Sequence, residues 1–365
     1  MTFANPRRSA LAQQILAIGT ILALATCSLT ACGQDAANSL NRLLAMKPPY
    51  PDTSWSLIYA IHKMRPPDDI YWLDNDRILF PGYEKQGDSL PFVIILNTRT
   101  GQYTKEAPLR QHFWMCFNRG FLAYNISEDE HGFAKTMMAG PLGQVKLLAS
   151  PSPGQQEPEL KQCHGWPNDD LTEQRPNANV RNLSPEDGYL LIEDHSRTHS
   201  MRIENPEAPV QLFKPGKAPI DLPIQKKEVD SSRVTYSEFA GLYLIVPELP
   251  RSGTYGVVTW PLDLPIPVYT ISHDGDVKAI ELPAGSQPAG VYLTRKGLIW
   301  VSNATHGNSR DAGAWLLIDG KAQKIIEHFV TGIGISPDGC KVAYSVNSWD
   351  PQKTDNLHLM NLCQD

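Results

Sequence analysis

Hydrophobic positions in this chain come in short runs broken by turn-forming residues, and helical spacing is nearly absent. The segments FVIILNTRTGQYTKEA (92–107), TMMAGPLGQVKLLA (136–149), SMRIENPEAPVQLF (200–213), VYTISHDGDVKAIEL (268–282) and AWLLIDGKAQKIIE (314–327) each read as strand, turn, strand. Apolar residues at alternate positions fill one face of a strand, and Gly, Asn and Asp supply the turn. A second kind of hairpin precedes these. Its sharpest copies are RNLSPEDGYLLI (181–192) and GISPDGCKVAY (334–344). Pro presets the first turn position and Gly takes the left-handed one, so Ser-Pro-Asp-Gly between apolar runs closes tightly. Weaker copies are Asn118-Arg119-Gly120 before FLAYN, Phe239-Ala240-Gly241 before LYLIV, Arg295-Lys296-Gly297 before LIWVS, and Asp74-Asn75-Asp76 before RILF.

Six copies of a two-hairpin unit predict six four-stranded antiparallel sheets. The last copy supplies only three strands, ending in Leu357–Leu362, and Ser56–Ile61 is placed to add the fourth and cover the edge. The Ser-Pro-Asp-Gly pattern resembles the WD40-like repeats of the TolB propeller and related bacterial periplasmic proteins, over about residues 70–363. That resemblance implies an all-β fold, a six-bladed β-propeller of four-stranded antiparallel blades, and it transfers no catalytic set. Hairpins alone do not close a ring, and a pair of β-sandwiches would use the same ones.

The amino-terminal segment follows different rules. Residues 1–14 hold Arg7 and Arg8 and no acid, and residues 15–26 form an apolar run too short to span a bilayer comfortably, the pattern of a secretory signal. It ends in Leu29-Thr30-Ala31-Cys32-Gly33, which resembles the bacterial lipobox. The resemblance implies cleavage before Cys32 and covalent diacylglycerol and fatty acyl groups on it, with no other cofactor expected. Cys27 follows Thr26, where the box takes Gly, Ala or Ser. An ordinary secreted protein and a transmembrane anchor are the other readings of this leader. Gly33 in place of Asp after the cysteine implies the outer membrane, with the body facing the periplasm. The expected organisation is a signal peptide over 1–31, a lipidated tether over 32–52 and a propeller over 53–365. In the tether, Leu40, Leu43 and Leu44 have helical spacing and Lys47-Pro48-Pro49-Tyr50-Pro51 is a stiff spacer.

Composition fits this outline. Of 365 residues 41% are hydrophobic and 20% charged, which excludes a disordered chain, and 30 prolines argue against a helical one. The leader takes away two of the 33 basic residues and none of the 39 acidic ones, leaving 334 residues with a formal charge of −8. That is the wrong sign for a nucleic-acid surface.

An oxidising compartment favours disulfides. In the propeller arrangement Cys340 opens a second strand and Cys363 closes the antiparallel third, so the two are expected to pair. Cys116 and Cys163 form a second candidate bridge, with two free thiols as the alternative. In such a fold the turns within hairpins lie at one end of the sheets, and the longer connections, including 150–178, 214–233 and 247–267, lie at the other. Binding candidates there are His131 beside Glu128-Asp129-Glu130, His195, Arg197 and His199 in DHSRTH (194–199), His306 and Arg310 in HGNSRD (306–311), His164, Trp166 and Trp349.

His195 and His199 with Asp194 or Glu193 come nearest to a metal pair, but they lack the H-E-x-x-H helix of a zincin, and a solvated loop is the expected reading. Asp74-x-Asp76 and Ser272-His273-Asp274-Gly275-Asp276 read as tight turns rather than calcium loops. No G-x-S-x-G elbow or phosphate loop is present, so no catalytic residue and no metal site are expected. Trp72, Trp114, Trp300 and Trp315 are expected between sheets, while Trp260 joins Trp166 and Trp349 in connections.

The function expected is that of a lipid-anchored, non-catalytic scaffold whose partner is an envelope protein or peptide. The alternative is a small-ligand or glycan binder, or a lactonase-like metallohydrolase, using the face on the ring axis. One scaffold supports all of these.

Overall fold

The computed structural model describes residues 50–60, 68–85, 88, 90–110, 113, 115–118, 120–128, 134–148, 179–184, 188–193, 207–229, 233–246, 264–286, 288–302, 312–347 and 356–364. The chain divides between Pro49 and Tyr50, and the fold described is that of the second unit. It is nearly all-β. The first strands are β1 (Asp52–Tyr59), β2 (Asp68–Asp69), β3 (Tyr71–Trp72), β4 (Arg77–Tyr83), β5 (Phe92–Asn97) and β6 (Tyr103–Pro108). Four antiparallel meanders follow. They are β7 (Met115–Asn118), β8 (Phe121–Glu128), β9 (Ala134–Pro141) and β10 (Lys146–Leu147); β11 (Asn179–Ser184), β12 (Gly188–Glu193), β13 (Pro209–Phe213) and β14 (Ile220–Gln225); β15 (Arg233–Ser237), β16 (Leu242–Val246), β17 (Ile266–Ser272) and β18 (Val277–Leu282); and β19 (Pro288–Thr294), β20 (Gly297–Ser302), β21 (Gly313–Ile318) and β22 (Lys321–Glu327). The last strands, β23 (Phe329–Ile335), β24 (Lys341–Asn347) and β25 (Asn356–Asn361), return to the first group. Together they form a nine-stranded sheet in the order β2-β23-β24-β25-β1-β4-β5-β6, with β3 also on β4.

The sheets bury both faces, which is why their second strands read as unbroken apolar runs. In LYLIV, Tyr243 and Ile245 pack with Leu190, Leu212 and Leu222 of the preceding meander. Their neighbours Leu244 and Val246 point the other way, toward Val291, Leu298 and Trp300 of the following one. The same alternation links Ile299 and Leu316 to Val330, Ile333 and Val342. It links Leu357 to Leu57, Ile78 and Phe80, and Leu79 and Val93 to Phe113 and Leu122. Each such fully buried side chain contributes about 1.5–3 kcal/mol. Trp300 and Trp315 stack at 5.9 Å inside this packing, and Trp72 is half-buried in it; Trp114 lies outside the described residues.

The strand that joins the two ends of the chain is present. Asp52–Trp55 pair antiparallel with Leu357–Met360, a bulge follows, and Ile58 and Tyr59 pair with Tyr83 and Gly82 of β4. The paired stretch therefore begins four residues before the expected Ser56 and continues from one four-strand run into the next. That is why the terminal sheets merge into one of nine strands rather than standing as separate four-stranded units. Beyond β1, β2 lies parallel on β23, with Asp68 opposite Gly332. A side chain at Gly334 would sit 1.9 Å from the Ile70 carbonyl, so only glycine admits the crossing.

One expected hairpin is corrected. The second hairpin of its unit is β13 with β14, not residues 200–213, and 214–233 is not an insertion but holds β14 and a short helix, α1 (Lys226–Val229). Leu222 and Ile224 are buried on alternate positions and Pro223 between them is exposed. Pro223 conceals the strand in the sequence, yet it is tolerated because β14 is an outer strand whose outward N–H needs no partner.

Candidate functional site

Strand direction alternates through each meander, so the hairpin turns lie at one end of the sheets and the remaining connections at the other. At the turn end the chain's own groups meet. Ser336 Oγ donates to Asp338 Oδ1 at 2.5 Å and accepts the Lys341 N–H at 2.8 Å, while Asp338 Oδ1 also accepts the Cys340 N–H at 3.0 Å. Gly339 sits at φ +74°, and its N–H bonds Ser336 O at 2.8 Å. This turn is held from both sides. The Asp338 N–H donates to Asn75 Oδ1 at 3.0 Å, and Lys341 Nζ donates to Asn75 O at 2.6 Å and Asp76 Oδ1 at 3.0 Å. On the other side the Arg295 N–H bonds Gly339 O at 3.0 Å and its guanidinium donates to Asp338 O.

Phe239 completes the cluster. The Arg295 guanidinium lies 5.9 Å from its ring centroid, and a Cβ on Gly339 would come within 2.6 Å of the ring. Phe239 belongs to the β15–β16 turn and Gly339 to the β23–β24 turn, with the β19–β22 meander between them in sequence. The contact therefore passes across a whole sheet. Sequence reasoning read Asn75, Phe239 and Arg295 only as turn residues; their shared signal is position, since each occupies the tip of a first hairpin.

The two sequences with calcium-like spacing are turns. Asp74 Oδ1 accepts the N–H groups of Asp76 at 2.9 Å and Arg77 at 2.8 Å. Partial burial opposes ionisation of Asp74, but these N–H groups and the Arg77 guanidinium outweigh it and hold the carboxyl below its usual range. Ser272 Oγ accepts the N–H groups of Asp274 and Asp276 at 3.2 and 3.0 Å. Among the described residues no three His, Cys, Asp or Glu side chains group as metal ligands.

A second polar cluster marks the joining strand. Asp52 Oδ2 accepts from Tyr344 OH at 3.0 Å and from His358 Nδ1 at 3.2 Å, and the Tyr344 and His358 rings stack at 5.0 Å. Burial pushes the Tyr344 phenol well above its ordinary range, and the Asp52 carboxylate adds to this. Cys340 and Cys363 are disulfide-bonded beside it. Cys116 is also in a disulfide; Cys163, its expected partner, lies outside the described residues.

His131, His164, Trp166, His195, Arg197, His199, Trp260, His306, Arg310 and Trp349 all lie outside the described residues, as do the leader and Cys32. The strands that bound their segments, such as β12 ending at Glu193, β20 at Ser302 and β24 at Asn347, all terminate at the connection end.

No family model and no curated protein matches the chain. Solved structures do. An oligogalacturonate lyase in complex with manganese is 9% identical, with 87% of this chain and 97% of that one covered and a TM-score of 0.47. TolB from Acinetobacter baumannii is 14% identical over 81% of this chain and 66% of its own, with a TM-score of 0.39. The Pan2 WD40 domain of Neurospora crassa is 11% identical over 81% and 75%, with a TM-score of 0.33. No helix among the described residues is long and apolar enough to cross a membrane.

Proposed function

We propose that Tyr50–Asp365 forms a six-bladed propeller and acts as a non-catalytic protein-binding scaffold of the cell envelope. It is carried on an acylated Cys32, and it engages an envelope protein or peptide through its connection end. In this reading the blades are β3–β6, the four meanders, and β23–β24–β25 completed by β1. The observation that supports it is the turn-end cluster: Phe239 reaches Gly339 past an intervening sheet, the contact expected of first hairpins that converge on a common axis. Donors and acceptors of the Asn75, Asp338, Lys341 and Arg295 set at that end are occupied by one another. In this reading the longer connections with His195, Arg197, Arg310, Trp166 and Trp349 lie at the opposite end, where an adaptable surface on a rigid body is best placed.

The test is in-cell photo-crosslinking from Arg197, Arg310 and Trp349, each replaced by a crosslinking residue, with Lys217 at the turn end as control. The reading expects one envelope protein captured from the connection end alone. Adducts equally frequent from Lys217, or none from the three positions, would overturn it.

A further inference from the structure

A single residue links the β19–β22 meander to the strands that follow it. β22 ends at Glu327 and β23 begins at Phe329, so His328 alone turns the chain from one sheet into the next. It does so at φ +72°, in the left-handed region where a Cβ crowds the following carbonyl. At every other described position of positive φ the chain places glycine, except at Asp319, whose Asp-Gly pair makes an ordinary hairpin turn. The link calls for this conformation, and glycine would adopt it without strain. Nothing in the backbone calls for an imidazole.

Nor does the packing. Ile326 and Val330 on either side of the link are buried, but His328 is exposed. Its side chain makes no hydrogen bond, ion pair or ring contact with any described residue, and the neighbouring Glu327 is taken up by Lys324 at 2.6 Å. A strained backbone carrying a side chain that serves no contact within the fold is the pattern of a position kept for a ligand at the expense of stability.

Its place points to that ligand. Glu327 pairs with Gly313, and Gly313 with Ser302, the two residues that bound the connection 303–312. On the other side Phe329 pairs with Asn347, where the connection 348–355 begins. Paired strands lie about 4.8 Å apart. His328 therefore stands between the roots of two connections whose sequences hold His306, Arg310 and Trp349.

We infer that His328 is a recognition residue of the connection end, where its imidazole, donating through one nitrogen and accepting through the other, hydrogen-bonds a polar group of the bound envelope protein or peptide. This inference rests on the scaffold reading above. The one-residue link between two packed sheets fixes the Cα from which the imidazole projects, so little backbone freedom is lost when the partner arrives.

The test takes the full chain in cells with a photo-crosslinking residue in place of Arg310 or Trp349, and compares the parent with His328→Gly and His328→Ala. Adduct yield reads the partner, and the urea midpoint of the purified chain reads the fold. Expected are a midpoint for His328→Gly at or above that of the parent, a lower midpoint for His328→Ala than for His328→Gly, and a several-fold loss of adduct in both variants. Undiminished adduct in both overturns the inference and leaves the scaffold reading standing. Loss in one variant alone assigns the effect to the backbone of the link and overturns it as well. A midpoint for His328→Gly below that of the parent makes the imidazole a support of the fold, with the same consequence. No adduct from any chain, the parent included, removes the scaffold reading and the inference with it.

Discussion

Two strands that each follow the third strand of a meander, β10 on β9 and β1 on β25, are built very differently. β10 covers β9 with two residues, Lys146 and Leu147, both exposed, and Leu147 is 59% accessible. β1 covers β25 with an eight-residue strand, buries Leu57 and Tyr59, holds the Asp52, Tyr344 and His358 set, runs on to pair with β4 and lies beside a disulfide. Sequence separation accounts for the contrast. β10 follows β9 through a short turn, so its pairing costs little chain entropy, whereas β1 meets β25 across nearly the whole folded unit and must offset the closure of that loop. A local edge needs only cover, but a seam needs a clasp.

Breaking the clasp should therefore cost far more than trimming the cover. Leu57→Ala, which empties a site 3% exposed between β1 and its neighbours, is expected to lower unfolding free energy by about 2–5 kcal/mol in urea titration. A loss below that of Leu147→Ala would remove β1 from the core. Replacing Cys340 and Cys363 together by serine should cost about 3 kcal/mol, given their separation of 23 residues, and reductant should shift the parent protein by that much more than the variant, which keeps the disulfide of Cys116.

Alkaline pH sharpens the comparison further. Tyr344 and Tyr269 both have phenols raised by burial, with the carboxylates of Asp52 and Glu228 adding to it. A group whose folded value is raised contributes stability fully present below its unfolded value, near pH 10, and lost as pH climbs through the folded one. Stability should thus fall above about pH 10 by up to about 1.4 kcal/mol per pH unit for each tyrosine. Tyr344→Phe should remove its share of that slope, read from urea midpoints across the range; an unchanged slope would exclude Tyr344 as the source. Leu147→Ala completes the series with an effect within about 0.5 kcal/mol.

Much of the architecture was legible because turns and alternation are local. Ser336-Pro337-Asp338-Gly339 announces its hairpin through proline and glycine chemistry, and LYLIV announces a strand buried on both faces. β14 was not legible, since Pro223 interrupts its alternation and only its outer position makes that proline harmless. Nor was the turn-end cluster, because the contacts of Asn75 with Asp338 and of Phe239 with Gly339 join residues far apart in sequence through tertiary geometry alone. The path of β1 from β25 onto β4 was hidden for the same reason, although the bulge after Trp55 and the bare approach at Gly82, where a Cβ would meet Ile58 O at 2.9 Å, record it locally.

The claim that the amino-terminal strand closes the fold is tested most directly by native-state amide hydrogen exchange of β1 and β25 against β9 and β10. Closure predicts that the hydrogen-bonded amides of Asp52–Trp55 and Leu357–Met360 exchange only with global unfolding, while those of Lys146 and Leu147 exchange by local opening at far lower free energy. Exchange of the β1 amides as fast as those of β10 would contradict it.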